Sequence, residues 1–233
     1  MGFKCSFTGF SPGIPREDIW RLPEGGRSRA EEVMADLFNG SYTYSRLGSA
    51  GETYPPDDGV WIGTWGDTIL LSAEPEFLEE QEWEMSDSIG RWDLNVHSVV
   101  DLCHFAVTGG PFGDREVALY ADMETTFEEA CTGRPLPFEE PFLAGEHDEP
   151  LDEDGDYAPP VPFHPLSLGD AAVLWMFGIP GESPLSDAVV DPLLDQWRHD
   201  QEIPMHHFQP APPPERRKRW FGWLGSRSRP QAH

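Results

Sequence analysis

The chain has 233 residues, 42 acids against 16 bases, and a net charge of −26. The first 214 residues hold 41 of the acids and 10 of the bases, about −31, while the last 19 reverse to about +5. A body this acidic repels nucleic acid and anionic membrane and favours basic partners or cations.

Hydrophobic residues make up 38% and aromatic residues 12%, so a packed core is within reach and wholesale disorder is excluded. Cys5, Cys103 and Cys131 show no C-x-x-C spacing and read as reduced thiols. The opening MGFKCSFTGFSPG lacks the apolar run of a signal peptide, and no window reaches the ~18 apolar residues of a membrane span. A cytoplasmic location is the expectation.

In chain order, Lys4 to Phe10 alternates as a first strand, closed by Pro12 and Pro15. From Ser28 to Phe38, Ala30, Val33, Met34, Leu37 and Phe38 recur at helical spacing, with Ser28 and Glu31 as a capping box. Asn39-Gly40 tolerates the left-handed backbone and stops that helix. GSAGETYPPDDG is a loop. GVWIGTWGDTILLSAE is rich in β-formers and broken at Gly66-Asp67, which predicts a hairpin. Glu74 to Trp83 fits a short helix.

HSVVDLCHFAV fits either a helix or a strand. Its β-branched content, the turn TGGPFGD and the following REVALYAD favour a hairpin. Pro and acids dominate residues 135–165. Ser167 and Asp170 cap a helix running to Phe177 and stopped by Gly178, and a last helix is predicted over about Asp187 to His199. MHHFQPAPPPE reads as an extended linker, and ERRKRWFGWLGSRSRP as a basic aromatic tail.

Three stretches carry a resemblance: HSVVD at 97–101, PLPFEEPFLAGEH at 135–147 and PFHPLSLGDAAVLWMFG at 162–178. In order and spacing they resemble an uncharacterised actinobacterial family, a domain of unknown function, well over 97–178 and loosely over 1–96. The resemblance implies a small cytosolic α+β protein and brings no reaction or catalytic residue.

Several clusters could carry chemistry. His97, Asp101 and His104 would share a face on a helix. On a strand His97 and Asp101 lie about 13 Å apart, and His104 faces away. Glu139 and Glu140, between Pro137 and Pro141, are expected in extended backbone with side chains on opposite faces, one of them turned inward as a clasp on an amide, an arginine or a histidine. Glu146, His147 and His164 supply divalent-ion ligand types if the acidic loop closes. DEPLDEDGDY fails as a calcium loop, because aligning Gly155 puts Pro150 and Val161 at the first and last ligand positions. Phosphate-loop, nucleophile-elbow and H-E-x-x-H motifs are absent.

The expected architecture is α+β: an antiparallel or mixed sheet with two or three helices over residues 1–204, a disordered Pro-rich linker at 205–214 and a basic tail at 215–233. Truncation after Pro204 is then expected to leave the thermal midpoint unchanged. The expected function is a non-catalytic binding module with a basic protein partner, without cofactor or metal. The alternative is a hydrolase built on His97, Asp101, Glu140 and His164. The tail is a candidate contact for anionic membrane or for the acidic body.

Overall fold

The computed structural model describes residues 4–52, 59–81, 83, 86–120, 126–147, 161–179 and 202–211. In chain order they form β1 (Lys4–Ser11), α1 (Pro15–Arg21), α2 (Gly26–Phe38), β2 (Tyr42–Ser49), β3 (Val60–Trp65), β4 (Thr68–Ser72), α3 (Pro75–Glu79), β5 (Gly90–His97), β6 (Leu102–Thr108), β7 (Arg115–Leu119), β8 (Cys131–Gly133), α4 (Glu140–Leu143), α5 (Pro165–Phe177) and β9 (Pro204–Pro210). The strands make one nine-stranded sheet in the order β2-β9-β3-β4-β1-β5-β6-β7-β8. Every neighbouring pair is antiparallel. The fold is α+β, with five described α-helices where two or three were expected.

Turn chemistry sets the hairpins. Trp65 pairs with Thr68 across a two-residue turn in which Gly66 holds φ 58°. That left-handed start is what a tight hairpin needs and what glycine supplies without cost. At the β5–β6 connection His97 pairs with Leu102, and Asp101 adopts φ 46°, a conformation open to Asp through its short polar side chain.

Alternation along each strand divides the core in two. On one side Phe7, Trp61, Leu70, Trp92, Leu94, Val96, Cys103, Phe105 and Val117 pack under α1 and α5. α5 is buried nearly all round, which fits its largely apolar sequence. On the other side Phe10, Val60, Ile62, Leu71 and Phe208 pack under α2 and α3. That second layer stops at β1. Beyond it, the same side of β5, β6 and β7 carries polar residues.

Several expectations are corrected. The segment placed in a linker from residue 205 is strand β9, inserted between β2 and β3. Its prolines sit only at its two ends, Pro204 and Pro210, where a missing N–H is tolerated, while Met205 and Phe208 are buried on opposite sides. The folded body therefore continues past 204, and a chain cut after Pro204 is expected to lose most of this strand. Strands β2 and β5 were not anticipated at all.

The caps differ too. α2 begins at Gly26 with Gly25 as N-cap and no side-chain cap, so Ser28 and Glu31 form no capping box. The Glu24 carboxylate instead accepts from Gly26 N–H at 2.7 Å. α5 begins at Pro165 and is capped by His164 rather than Ser167. The Asn39 and Gly178 stops are both left-handed, as their residue types suggested. The helix predicted over 187–199, the DEPLDEDGDY loop and the basic tail lie outside the described residues.

A polar sheet face and its neighbouring helix

Of the four residues singled out for catalysis, the fold brings two together. Asp101, in the β5–β6 turn, places Oδ2 3.9 Å from Nε2 of His164 at the start of α5. His164 Nδ1 accepts the Leu166 N–H at 3.2 Å, so one ring nitrogen is spent on capping the helix. His97 stands apart. Strand alternation puts it on the side of β5 away from α5, and its Nδ1 accepts from Val99 N–H at 3.2 Å within the turn. HSVVD is thus a strand end and a turn rather than continuous strand, and Val99 and Val100 are exposed at its tip. Glu140 is exposed at the start of α4.

The adjacent Glu139 is fully buried and is the inward-facing clasp. Its carboxylate takes Arg115 side-on, with Arg115 Nε donating to Oε1 at 3.0 Å and Nη2 to Oε2. Oε1 also accepts the Leu136 N–H at 2.7 Å. Arg115 Nη1 donates to the Thr132 carbonyl at 3.0 Å, which ties β7 to β8. Burial alone would lower the Arg115 pKa, but the Glu139 carboxylate outweighs it and raises it. The backbone at Glu139 is helical (φ −81°, ψ −21°) and not extended, because Pro137 and Pro141 each occupy a first turn, where no N–H is needed.

His206 and His147 are also engaged in structure. His206 on β9 meets Glu24 at 2.8 Å, linking that strand to the segment just before α2. His147 packs against Phe142 with ring centroids 4.5 Å apart, and Phe142 meets Phe163 edge-on at 5.0 Å. Among the described residues no group of three His, Cys, Asp or Glu could hold a metal ion. All three cysteines are free. Burial pushes the Cys5 and Cys103 thiols far up and Cys131 up to about 11, so none is a ready thiolate at neutral pH.

The largest uncommitted feature is the bare side of β5–β6–β7. Arg91 and Asp93 pair at 2.7 Å, and Thr8 donates to Asp93 at 2.6 Å. His104 lies 3.5 Å from Glu116. Where this face meets α3 there is an open pocket of about 80 Å³, lined by Thr8, Glu79, Arg91, Asp93, Asn95 and His104 among others. Beside the pocket, Glu74, Glu76, Glu79, Glu80 and Asp87 are the charged residues described between 73 and 88, with no base among them. This face was missed in the sequence. Its signal was the strict alternation of Arg91-Trp92-Asp93-Leu94-Asn95-Val96-His97, which marks a strand buried on one side only.

A family of unknown function (DUF6928) matches residues 5–208, nearly all of the described body. The chain belongs to that family. The match runs into β9 and stops short of the basic tail. No curated protein and no solved structure matches the chain. No described helix is long and apolar enough to cross a membrane.

Proposed function

We propose that this protein is a non-catalytic binding module that takes a basic protein partner on the face formed by α3 and the bare side of β5–β6. The observation that carries the reading is the run of described acids Glu74, Glu76, Glu79, Glu80 and Asp87 next to the pocket, whose lining arginine, Arg91, is already paired with Asp93. Basic side chains are the complement of such a surface, and the body's charge of about −31 draws them in. The engagement of Glu139, His164 and His206 in caps and ion pairs supports the same reading, since these groups serve the fold.

The test is a titration with a labelled arginine-rich nonapeptide, read by fluorescence anisotropy on the full chain. Binding is expected at 50 mM salt, weakening steeply by 300 mM. Glu76→Gln, Glu79→Gln and Glu80→Gln together should weaken it at least fivefold, a loss of about 1 kcal/mol. Three substitutions of equal charge elsewhere, Glu17→Gln, Glu32→Gln and Glu146→Gln, should change it less than twofold. Equal losses from both sets would reduce the effect to net charge and end the reading.

The alternative, hydrolysis, rests on the Asp101–His164 approach. It requires turnover of a hydrolase substrate panel that disappears in His164→Asn.

A further inference from the structure

The two edges of the sheet differ. β8 ends one side with three residues, Cys131–Gly133. β2 ends the other with eight, Tyr42–Ser49, and no described segment pairs with its outer side. A long open edge is a template for another strand, and monomeric sheets blunt such edges with charges or proline. β2 holds no proline and no acid. Residues 37–51 as a whole contain no Asp or Glu, in a body of about −31. The one charge of β2, Arg46, is turned back over the ring of Trp61 at 4.6 Å.

The ladder to β9 fixes which backbone groups face outward. Ala50 N–H donates to the Ile203 carbonyl, and Ala211 N–H to the Ser41 carbonyl, each at 2.8 Å. Hydrogen-bonding direction alternates along an antiparallel strand, so Thr43 and Gly48 point their backbone groups at β9 while Tyr42, Tyr44, Leu47 and Ser49 point theirs away. Pro204 and Pro210 agree with this, since they sit opposite Ser49 and Tyr42, where the ladder needs no N–H. The register shifts between Tyr44 and Arg46, and the extra residue, Ser45, moves the outward set from even positions to odd ones.

That shift makes the edge self-complementary. A two-fold axis between Ser45 and Arg46 sets Tyr44 opposite Leu47 of a second copy and Tyr42 opposite Ser49, outward group against outward group. Leu47 is 57% exposed. It lies on the α2 side together with Tyr44, because it pairs with His206, whose ring meets Tyr44 at 5.9 Å. Pairing would cover it with the Tyr44 ring of the second copy.

We propose that β2 is a self-association edge, at which two copies join by antiparallel β2–β2 pairing about a two-fold axis at Ser45–Arg46. Such a contact is isologous and closes at a dimer. The occupant is a second copy because the outward pattern matches itself and because the acids that hold two such bodies apart are missing along it. The contact is one strand about 27 Å long. It is narrower than a standard interface of about 800 Å² per partner, so the dimer is a weak one. β2 and the β5–β7 face lie in different halves of the sheet, and neither reading depends on the other.

The test is sedimentation velocity of the full chain from about 2 to 200 μM, paired with hydrogen exchange. A dimer should form toward the upper end and tighten severalfold between 20 and 500 mM salt, because each copy carries −26 and salt screens the repulsion. The amides of Tyr44, Leu47 and Ser49 should gain protection with concentration, whereas Thr43 and Gly48, already bonded to β9, should not. Leu47→Glu should weaken the dimer at least tenfold by setting a carboxylate at each Tyr44 contact. Leu47→Pro removes an N–H that β9 does not use, and should weaken the dimer as much while keeping a cooperative thermal transition. Leu143→Glu, at another exposed apolar side chain, should change dimerisation less than twofold.

A chain that stays monomeric at 200 μM in 500 mM salt would overturn the proposal. So would a dimer indifferent to Leu47→Glu, or a series of species larger than a dimer. Outward amides equally protected in the monomer would overturn it too, by assigning the edge to cover from within the same chain. Should both Leu47 variants unfold, the concentration dependence of protection at Tyr44 and Ser49 decides by itself.

Discussion

On the side of the sheet that faces α2, strands β9, β3 and β4 present Phe208, Val60, Ile62 and Leu71, none more than 2% exposed. On that same side β5, β6 and β7 present Arg91, Asp93, Asn95, His104 and Glu116, all partly or largely in solvent. One sheet surface is thus a core along half its width and a wet polar face along the other half, with α3 at the border. The opposite side is apolar from β3 to β7. Residues of the bare half are therefore freed from packing by position, and substitutions there should alter contacts with other molecules more than stability.

The largest effect expected from this contrast lies at β9, in the covered half. A chain ending at Ile203 loses Met205 and Phe208 and leaves β2 and β3 without their shared neighbour, so it should lose cooperative thermal unfolding. A chain ending at Ala211 should unfold cooperatively near the full-length midpoint. A cooperative transition in the shorter chain would mean that β9 is not part of the covered core.

Next in size is the comparison of two ion pairs. Glu139→Ala strands Arg115, which is 3% exposed, and should cost about 3–5 kcal/mol in urea unfolding. Glu116→Ala on the bare half removes a carboxylate from a surface pair with His104 and should cost no more than about 0.5 kcal/mol. Similar costs for the two would erase the distinction between clasp and open face.

The sharpest contrast is between neighbours on one strand. Leu94→Ala, facing α5, should cost about 2–5 kcal/mol. Asn95→Ala, one residue on and facing the pocket, should stay within about 0.5 kcal/mol. A large cost at Asn95 would show that the bare half is covered in solution.

Much of the local structure was legible because its causes are local. The Asn39 and Gly178 helix stops, the Gly66-Asp67 turn, the period of Ala30-Val33-Met34-Leu37-Phe38 and the β6–β7 hairpin all follow from backbone preference and spacing. The inward turn of one glutamate between Pro137 and Pro141 was legible too, though not its arginine, which is 24 residues away on β7. β5 was readable and was passed over, since its alternation is plain once Trp92, Leu94 and Val96 are taken as one face. The separation of His97 from His164 was not readable, because it depends on which side of the sheet α5 covers.

What the sequence alone determined is the α+β class, the acidity, the punctuation of helices and hairpins, and membership in a family whose activity no motif discloses. Tertiary structure decided the rest. It placed β9 between β2 and β3, which no local pattern could dictate, because a short strand bracketed by prolines is stabilised only by partners some 150 residues earlier in the chain. It also left β5–β7 bare beside an acidic helix. Pairing, coverage and charge proximity are long-range properties, and they arise only when distant segments share one sheet.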